Sequence, residues 1–196
     1  SEEMIEHVER GHLWTEGIIN ITPSSILSVR ILANNIVVSV FAFCAGIFLA
    51  IGTFYLVALN GLMLGGVFAL VHQHGLAAAL FTFIIAHGPV ELSVICVAGA
   101  AGVALGESIA RPASGTRRDS FQACAHEVAP LLLLCAALLV GCGFIEGFIS
   151  PDPAFPMASR ITIGSCYWLL MCVLLSGRLF ARPGAAQARR RRLNSS

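Results

Sequence analysis

The chain has no lysine, so all twelve of its basic residues are arginine. Charge of either sign is scarce. Charged residues make up 12% of the sequence, against about a quarter in a soluble domain. Between Arg30 and Glu107 the only formal charge is Glu91. A gap of that length excludes an ordinary soluble fold, which needs charge to face water. No CxxC pair occurs, and the seven cysteines (Cys44, Cys96, Cys124, Cys135, Cys142, Cys166 and Cys172) are odd in number. Most sit in apolar runs, where cysteine acts as a small hydrophobe, so neither a disulfide framework nor a zinc ribbon is expected. A nucleophile elbow, a phosphate loop and a dinucleotide fingerprint are also missing. His126-Glu127 begins like a zinc-protease helix but continues Val128-Ala129-Pro130 without the second histidine. The acidic N-terminal stretch lacks an early apolar core, so no cleavable signal peptide is expected and the first span serves as its own insertion signal.

What remains is apolar length. Hydrophobic residues make up 57% of the chain, and they fall into runs matching the roughly 20 residues that cross a bilayer core. The fold class expected is all-α, a polytopic transmembrane helix bundle. Residues 1–33 form an acidic segment, with a short interfacial helix around Ile26, Leu27, Ile31 and Leu32. The transmembrane core covers 34–181. Within it, 36–58, 89–106, 129–149 and 161–180 read as full spans. The pieces 61–71 and 76–87 are each too short to cross easily and are separated by His72-Gln73-His74-Gly75. They read as a re-entrant pair with its turn near mid-membrane; six spans is the alternative. Residues 107–128 form a polar loop, with a short helix capped by Asp119 or Ser120. Ser150-Pro151-Asp152-Pro153 and Pro156 make a tight loop on the other side.

Arginine placement sets the orientation. The 182–196 tail, with Arg182 and Arg189 to Arg192, and the 107–128 loop, with Arg111, Arg117 and Arg118, belong inside. The 150–160 loop, with Arg160 alone, belongs outside. The N-terminus is expected inside too, which requires an even number of crossings before residue 107. Beside a span, the arginine tail serves topology and lipid contact, and no nucleic-acid partner is expected.

Two kinds of residue carry further information. Small residues let helix backbones approach closely in lipid: Gly61 and Gly65, Gly99, Gly102 and Gly106, and Gly143 and Gly147. They predict packing within the chain, or contact in a homo-oligomer or membrane-protein complex. Ionisable residues inside a membrane are costly and tend to be functional. His87-Gly88-Pro89-Val90-Glu91 opens a span with proline where its missing N–H costs nothing. Glu91 in the first turn gains from the free N–H groups and the positive end of the helix. The pair is either a cap on a broken helix or a polar site for an ion, a proton or a lipid headgroup. Glu146 lies toward the same outer side and can share one cavity with it. Asn34, Asn35 and Asn60 flank the first span, closing helix ends or adding to a polar site. His72 and His74 have no third ligand nearby and read as polar turn residues. No metal, cofactor or catalytic residue is expected; the only pair that could serve an intramembrane enzyme is His87 with Glu91.

Several stretches, in order, resemble the stage II sporulation protein M family: Asn34-Asn35-Ile36 with Gly46 and Gly52-Thr53, Asn60 to Gly65, His87 to Leu92, Ala98 to Gly102, and Phe144 to Phe148. They cover roughly residues 30–180. Ala86 stands where the family often has proline. The resemblance implies a membrane core in the cytoplasmic membrane of a prokaryote. It also implies a scaffold or assembly role, with cell-wall hydrolases or an ATPase as partners. The function expected is therefore a membrane scaffold rather than an enzyme. The alternative is a transporter, channel or lipid-moving protein with a polar site at His87, Glu91, Glu146 and Asn60.

Overall fold

The computed structural model describes residues 2–11, 24–46, 51–112 and 115–176, and among these every regular element is helical. In chain order they are α1 (Glu2–Glu9), α2 (Ser24–Gly46), α3 (Ile51–Gln73), α4 (Ala77–Ile84), α5 (Gly88–Ala110), α6 (Arg117–Phe144) and α7 (Met157–Leu175); α6 runs on through one π-helical turn, Ile145–Ile149. Helices α3, α5, α6 with its π turn, and α7 are long and apolar enough to cross a membrane. Helix α2 adds an apolar stretch, Leu32–Gly46. A 23-residue helix is roughly 34 Å long, enough for a hydrocarbon core of about 30 Å.

Side-chain contacts fix the direction of each helix. Asn35 lines one cavity with Glu91, Ala42 sits by Gly99 and Gly46 by Val103, so α2 and α5 run parallel. Thr53 Oγ1 donates to the Ala42 carbonyl at 2.9 Å, which turns α3 back against α2. Leu32 lies by Gly143, while Phe43 shares a small cavity with Leu132, so α6 is antiparallel to α2. Gly164 of α7 packs on Ile85 and Ala86, and Trp168 Nε1 donates to Ser93 Oγ at 3.2 Å, so α7 follows α5. The core lies between α5, α6 and α7, around Val90, Val94, Cys135, Leu138, Leu139, Cys142 and Met171. Large apolar side chains such as Phe54, Leu62 and Leu133 face outward, as lipid in place of water allows.

Three expectations change. The segment 36–58 is not one helix: residues 42 and 53 would be about 16 Å apart along a straight helix, yet they are hydrogen-bonded. A Cβ on Gly46 would run into the Gly102 backbone, and one on Gly52 would lie 2.9 Å from the Ala45 Cβ. Glycine at these two sites permits the tight reversal. The piece 61–71 is then not a half-helix but the body of α3, and only α4, eight residues long, is short. The His72–Gly75 turn closes α3, with Gly75 at φ 74°. Its neighbour Val71 packs with Val8 and Leu80, at the far end of the bundle rather than at mid-membrane. Before residue 107, α3 and α5 are long and apolar enough to cross a membrane, whereas α2 contributes the shorter apolar stretch Leu32–Gly46; α4 at roughly 12 Å cannot add a crossing. The helix directions put Ser24 at the opposite end of the bundle from Leu175.

The 107–128 region also differs in detail. Helix α5 continues to Ala110 and α6 starts at Arg117, unbroken through Pro130 into the span. Its cap is Thr116, not Asp119 or Ser120. The Asp119 N–H donates to Thr116 Oγ1 at 3.2 Å, and the Thr116 N–H donates to Asp119 Oδ2 at 3.1 Å, a reciprocal capping box. The Thr116 hydroxyl, donating to Asp119 Oδ2 at 2.7 Å, and then the Thr116 N–H hold the exposed Asp119 carboxyl below its ordinary range. Helix α7 ends at Leu175; the rest of the expected 161–180 span and the arginine tail lie outside the described residues.

Candidate functional site

The polar site is built from two helix ends at the Ser24 end of the bundle. Pro89 supplies no N–H, and Val90 and Glu91 both donate to the His87 carbonyl, at 3.0 and 3.2 Å. That starts α5 and leaves the His87 side chain outside its first turn, with no capping bond of its own. The imidazole is buried, edge-on to the Phe83 ring with centroids 5.8 Å apart.

The other helix end is the π turn of α6. Its i→i+5 bond, Ser150 N–H to the Ile145 carbonyl at 2.9 Å, widens the helix by one residue. Such turns recur at functional sites because they re-aim side chains. Here the widening sets two partners against the two nitrogens of one ring. Ser150 Oγ is hydrogen-bonded to His87 Nδ1 at 3.1 Å. Glu146 Oε1 lies 3.8 Å from His87 Nε2, beyond hydrogen-bond range. Glu146 and Ser150 are both buried. The Cys142 thiol, one turn earlier, faces the His87 carbonyl at 3.8 Å. The second oxygen of Glu146, Oε2, is buried without a hydrogen-bond partner.

Glu91 completes the group. One ligand atom each from His87, Glu91 and Glu146 lie within 4.8 Å of one another. Asn35, midway along α2, lies beside the Glu91 carboxyl group. The half-buried Glu91 opens, with Asn35, Asn60 and His87, onto a cavity of about 640 Å³. The remaining walls are apolar and come from α3, α4 and α5. The two carboxyl groups share one low-dielectric pocket, where each is tolerated either with a proton or with a counter-charge beside it. Arrangements of this kind hold a cation or pass a proton along the chain Glu91, His87, Glu146.

The structure thus brings His87, Glu91 and Glu146 together, with Asn60 on the same cavity wall. Of the small residues, Gly99, Gly102, Gly106, Gly143 and Gly147 are buried between helices. A Cβ on Gly102 would collide with the Phe43 carbonyl, whereas Gly61 and Gly65 have open space around them. His72 and His74 are exposed in their turn, with His74 Nδ1 3.0 Å from the Leu70 carbonyl. Sequence reasoning assigned Asn35 to a helix end and passed over Ser150. A polar amide inside an apolar run was the available signal for Asn35. Ser150 had none, since its bond to His87 spans 63 residues.

Fold and site together define a polytopic helical membrane protein with an ionisable cluster inside its bundle. The family model for stage II sporulation protein M matches residues 2–151, a stretch that contains the whole cluster, and the chain belongs to that family. No curated protein and no solved structure matches the chain.

Proposed function

We propose that this protein is a transporter-type membrane protein that binds a small charged solute at His87, Glu91 and Glu146 and moves it across the bilayer. The observation that carries this reading is the convergence of three ionisable side chains beside a cavity. Helix interruptions that frame a polar site are the usual architecture of solute binding in transporters. The short α4, the break at 85–87 and the π turn of α6 are such interruptions. Arginine placement supports an inner position for Arg111, Arg117 and Arg118, which puts the cluster in the outer half of the membrane of a prokaryotic cell. The test is flux through proteoliposomes under an imposed cation or proton gradient. The wild-type protein is expected to dissipate the gradient faster than empty vesicles, and Glu91→Gln to abolish the difference. Wild-type vesicles no leakier than empty ones under every gradient would refute transport.

A scaffold role is the second reading, favoured by one observation. Helix α3 buries only Thr53 and Val71, and its outward face carries Phe54, Leu62 and Met63 around the open Gly61 and Gly65. A close-packed transmembrane helix, from a second copy or a partner protein such as a cell-wall hydrolase complex or an ATPase assembly, fits a face of that kind. Cysteine cross-linking at Gly61 and Gly65 in native membranes tests it. Cross-linked species support docking, and their absence leaves the face to lipid.

A further inference from the structure

The proposed site has a composition that selects among charged solutes. We propose that His87, Glu91 and Glu146 form a binding site for a divalent transition-metal cation of the Zn2+ or Mn2+ type. This rests on the reading of the cluster as a solute site and names the solute class.

Four observations carry the assignment. The first is spacing. Ligands about 2.1 Å from a tetrahedral Zn2+ lie roughly 3.4 Å from one another. His87 Nε2 and Glu146 Oε1 are 3.8 Å apart, too far for a hydrogen bond and close to the separation a shared ion imposes. A carboxylate oxygen of Glu91 lies within 4.8 Å of one ligand atom from each of the other two residues. The second observation is the unsatisfied atom. Glu146 Oε2 is buried with no partner, on a residue 3% exposed; natural interiors rarely leave such an atom unpaired. The third is the outer shell. Ligating histidines usually hydrogen-bond through their second ring nitrogen, which fixes the tautomer. When His87 Nδ1–H donates to Ser150 Oγ, the Nε2 lone pair faces Glu146. Asn35 lines the same cavity beside Glu91. The fourth is charge. Two carboxylates and a dication sum to zero, which relieves the burial of either carboxylate alone.

The donor set settles the class. Mg2+ and Ca2+ favour oxygen-only cages, whereas one imidazole with two carboxylates suits Zn2+, Mn2+ and their neighbours. The cavity beside Glu91 gives the ion its way in and leaves room for water or a further ligand in an open coordination position.

The test uses the full chain purified in mild detergent, stripped with chelator and titrated with Zn2+ and Mn2+ by calorimetry. Stability is followed in parallel by thermal unfolding. Wild type is expected to bind about one ion per chain, with a raised unfolding midpoint and no response to Mg2+. Glu146→Gln and His87→Ala should weaken binding about 100-fold or more. Ser150→Ala, which removes only the outer-shell bond, should weaken it about 10-fold. His72→Ala with His74→Ala should leave it unchanged. No stoichiometric Zn2+ or Mn2+ binding by the wild type, or binding that survives Glu146→Gln and Ser150→Ala alike, overturns the proposal. Metal binding without gradient dissipation in proteoliposomes would keep the metal site and sink transport. Flux of another cation without metal binding would do the reverse.

Discussion

Single atoms decide most of the packing in this bundle. Gly102 and Gly61 both belong to GxxxG patterns, and the sequence offers no way to rank them. The structure separates them, because the Phe43 carbonyl occupies the place of a Cβ at Gly102 and nothing lies within 4 Å of one at Gly61. Gly102→Ala is expected to destabilise the protein by about 1–3 kcal/mol, the usual cost of overpacking. Gly61→Ala should be neutral or slightly stabilising, since alanine is the better helix former. Thermal unfolding of the two variants in one detergent checks the contrast, and equal losses would contradict it. The same scale explains what was legible at the site. His87, Glu91 and Glu146 stood out because charge is so rare in this chain. Their mutual distances, and the role of Ser150, depend on how α5 and α6 meet, and local sequence carries no record of that.

At the scale of elements, the long spans were legible from apolar length alone, and α5, α6 and α7 form where the runs are. The first half was harder to divide. Residues 36–73 are apolar almost throughout, and hydropathy does not mark where one helix ends when the next begins with equally apolar residues. Helix α2 is described to Gly46 and α3 from Ile51, and it is the contact between Ala42 and Thr53, not polar punctuation, that separates them. The π turn was equally hidden, yet the site depends on it. Deleting Gly147 should restore regular α geometry and rotate Ser150 by about 100° away from His87. Flux and metal binding should both fall by at least the roughly 10-fold expected of Ser150→Ala while the protein stays folded and monodisperse. Retained binding would show that the turn is incidental. The start of α6 allows a test outside the membrane. The Asp119 carboxyl is held below its ordinary range by Thr116, so the cap's contribution is present above the usual carboxylate pKa and is lost as pH falls through the lowered value. Amide exchange over residues 117–120 is expected to speed up, relative to its intrinsic rate, on going from neutral pH to about pH 3. Thr116→Ala should show the faster relative exchange at both pH values. A wild type whose protection is unchanged in acid would contradict the capping role.

For the whole molecule, five helices alternating in direction put Ser24 and Leu175 at opposite ends. Arginine counting gives little leverage on the side of the N-terminus, because the N-terminal segment holds only Arg10 and Arg30. Single cysteines at Glu6 and at Ser176, in a background without the native seven, should react with an impermeant reagent from opposite faces of the membrane. Labelling of both from one face would contradict the helix directions. The architecture also explains how a buried cluster is tolerated. The apolar core around Val94, Leu139 and Met171 is built on the same α5 and α6 that carry the cluster, and the cavity opens beside Glu91. The site sits at a seam where the α3–α4 pair meets the rest of the bundle.

The central claim is that His87 and Glu146 act as one unit in moving a charged solute. The measurement that tests it most directly is the initial rate of cation flux in proteoliposomes for four proteins: wild type, His87→Ala, Glu146→Gln and the double variant. Groups that act as a unit are strongly non-additive. Each single substitution is therefore expected to remove nearly all of the flux, and the double variant to be no worse than either. Flux that persists in a single variant, or losses that multiply in the double, would contradict the account.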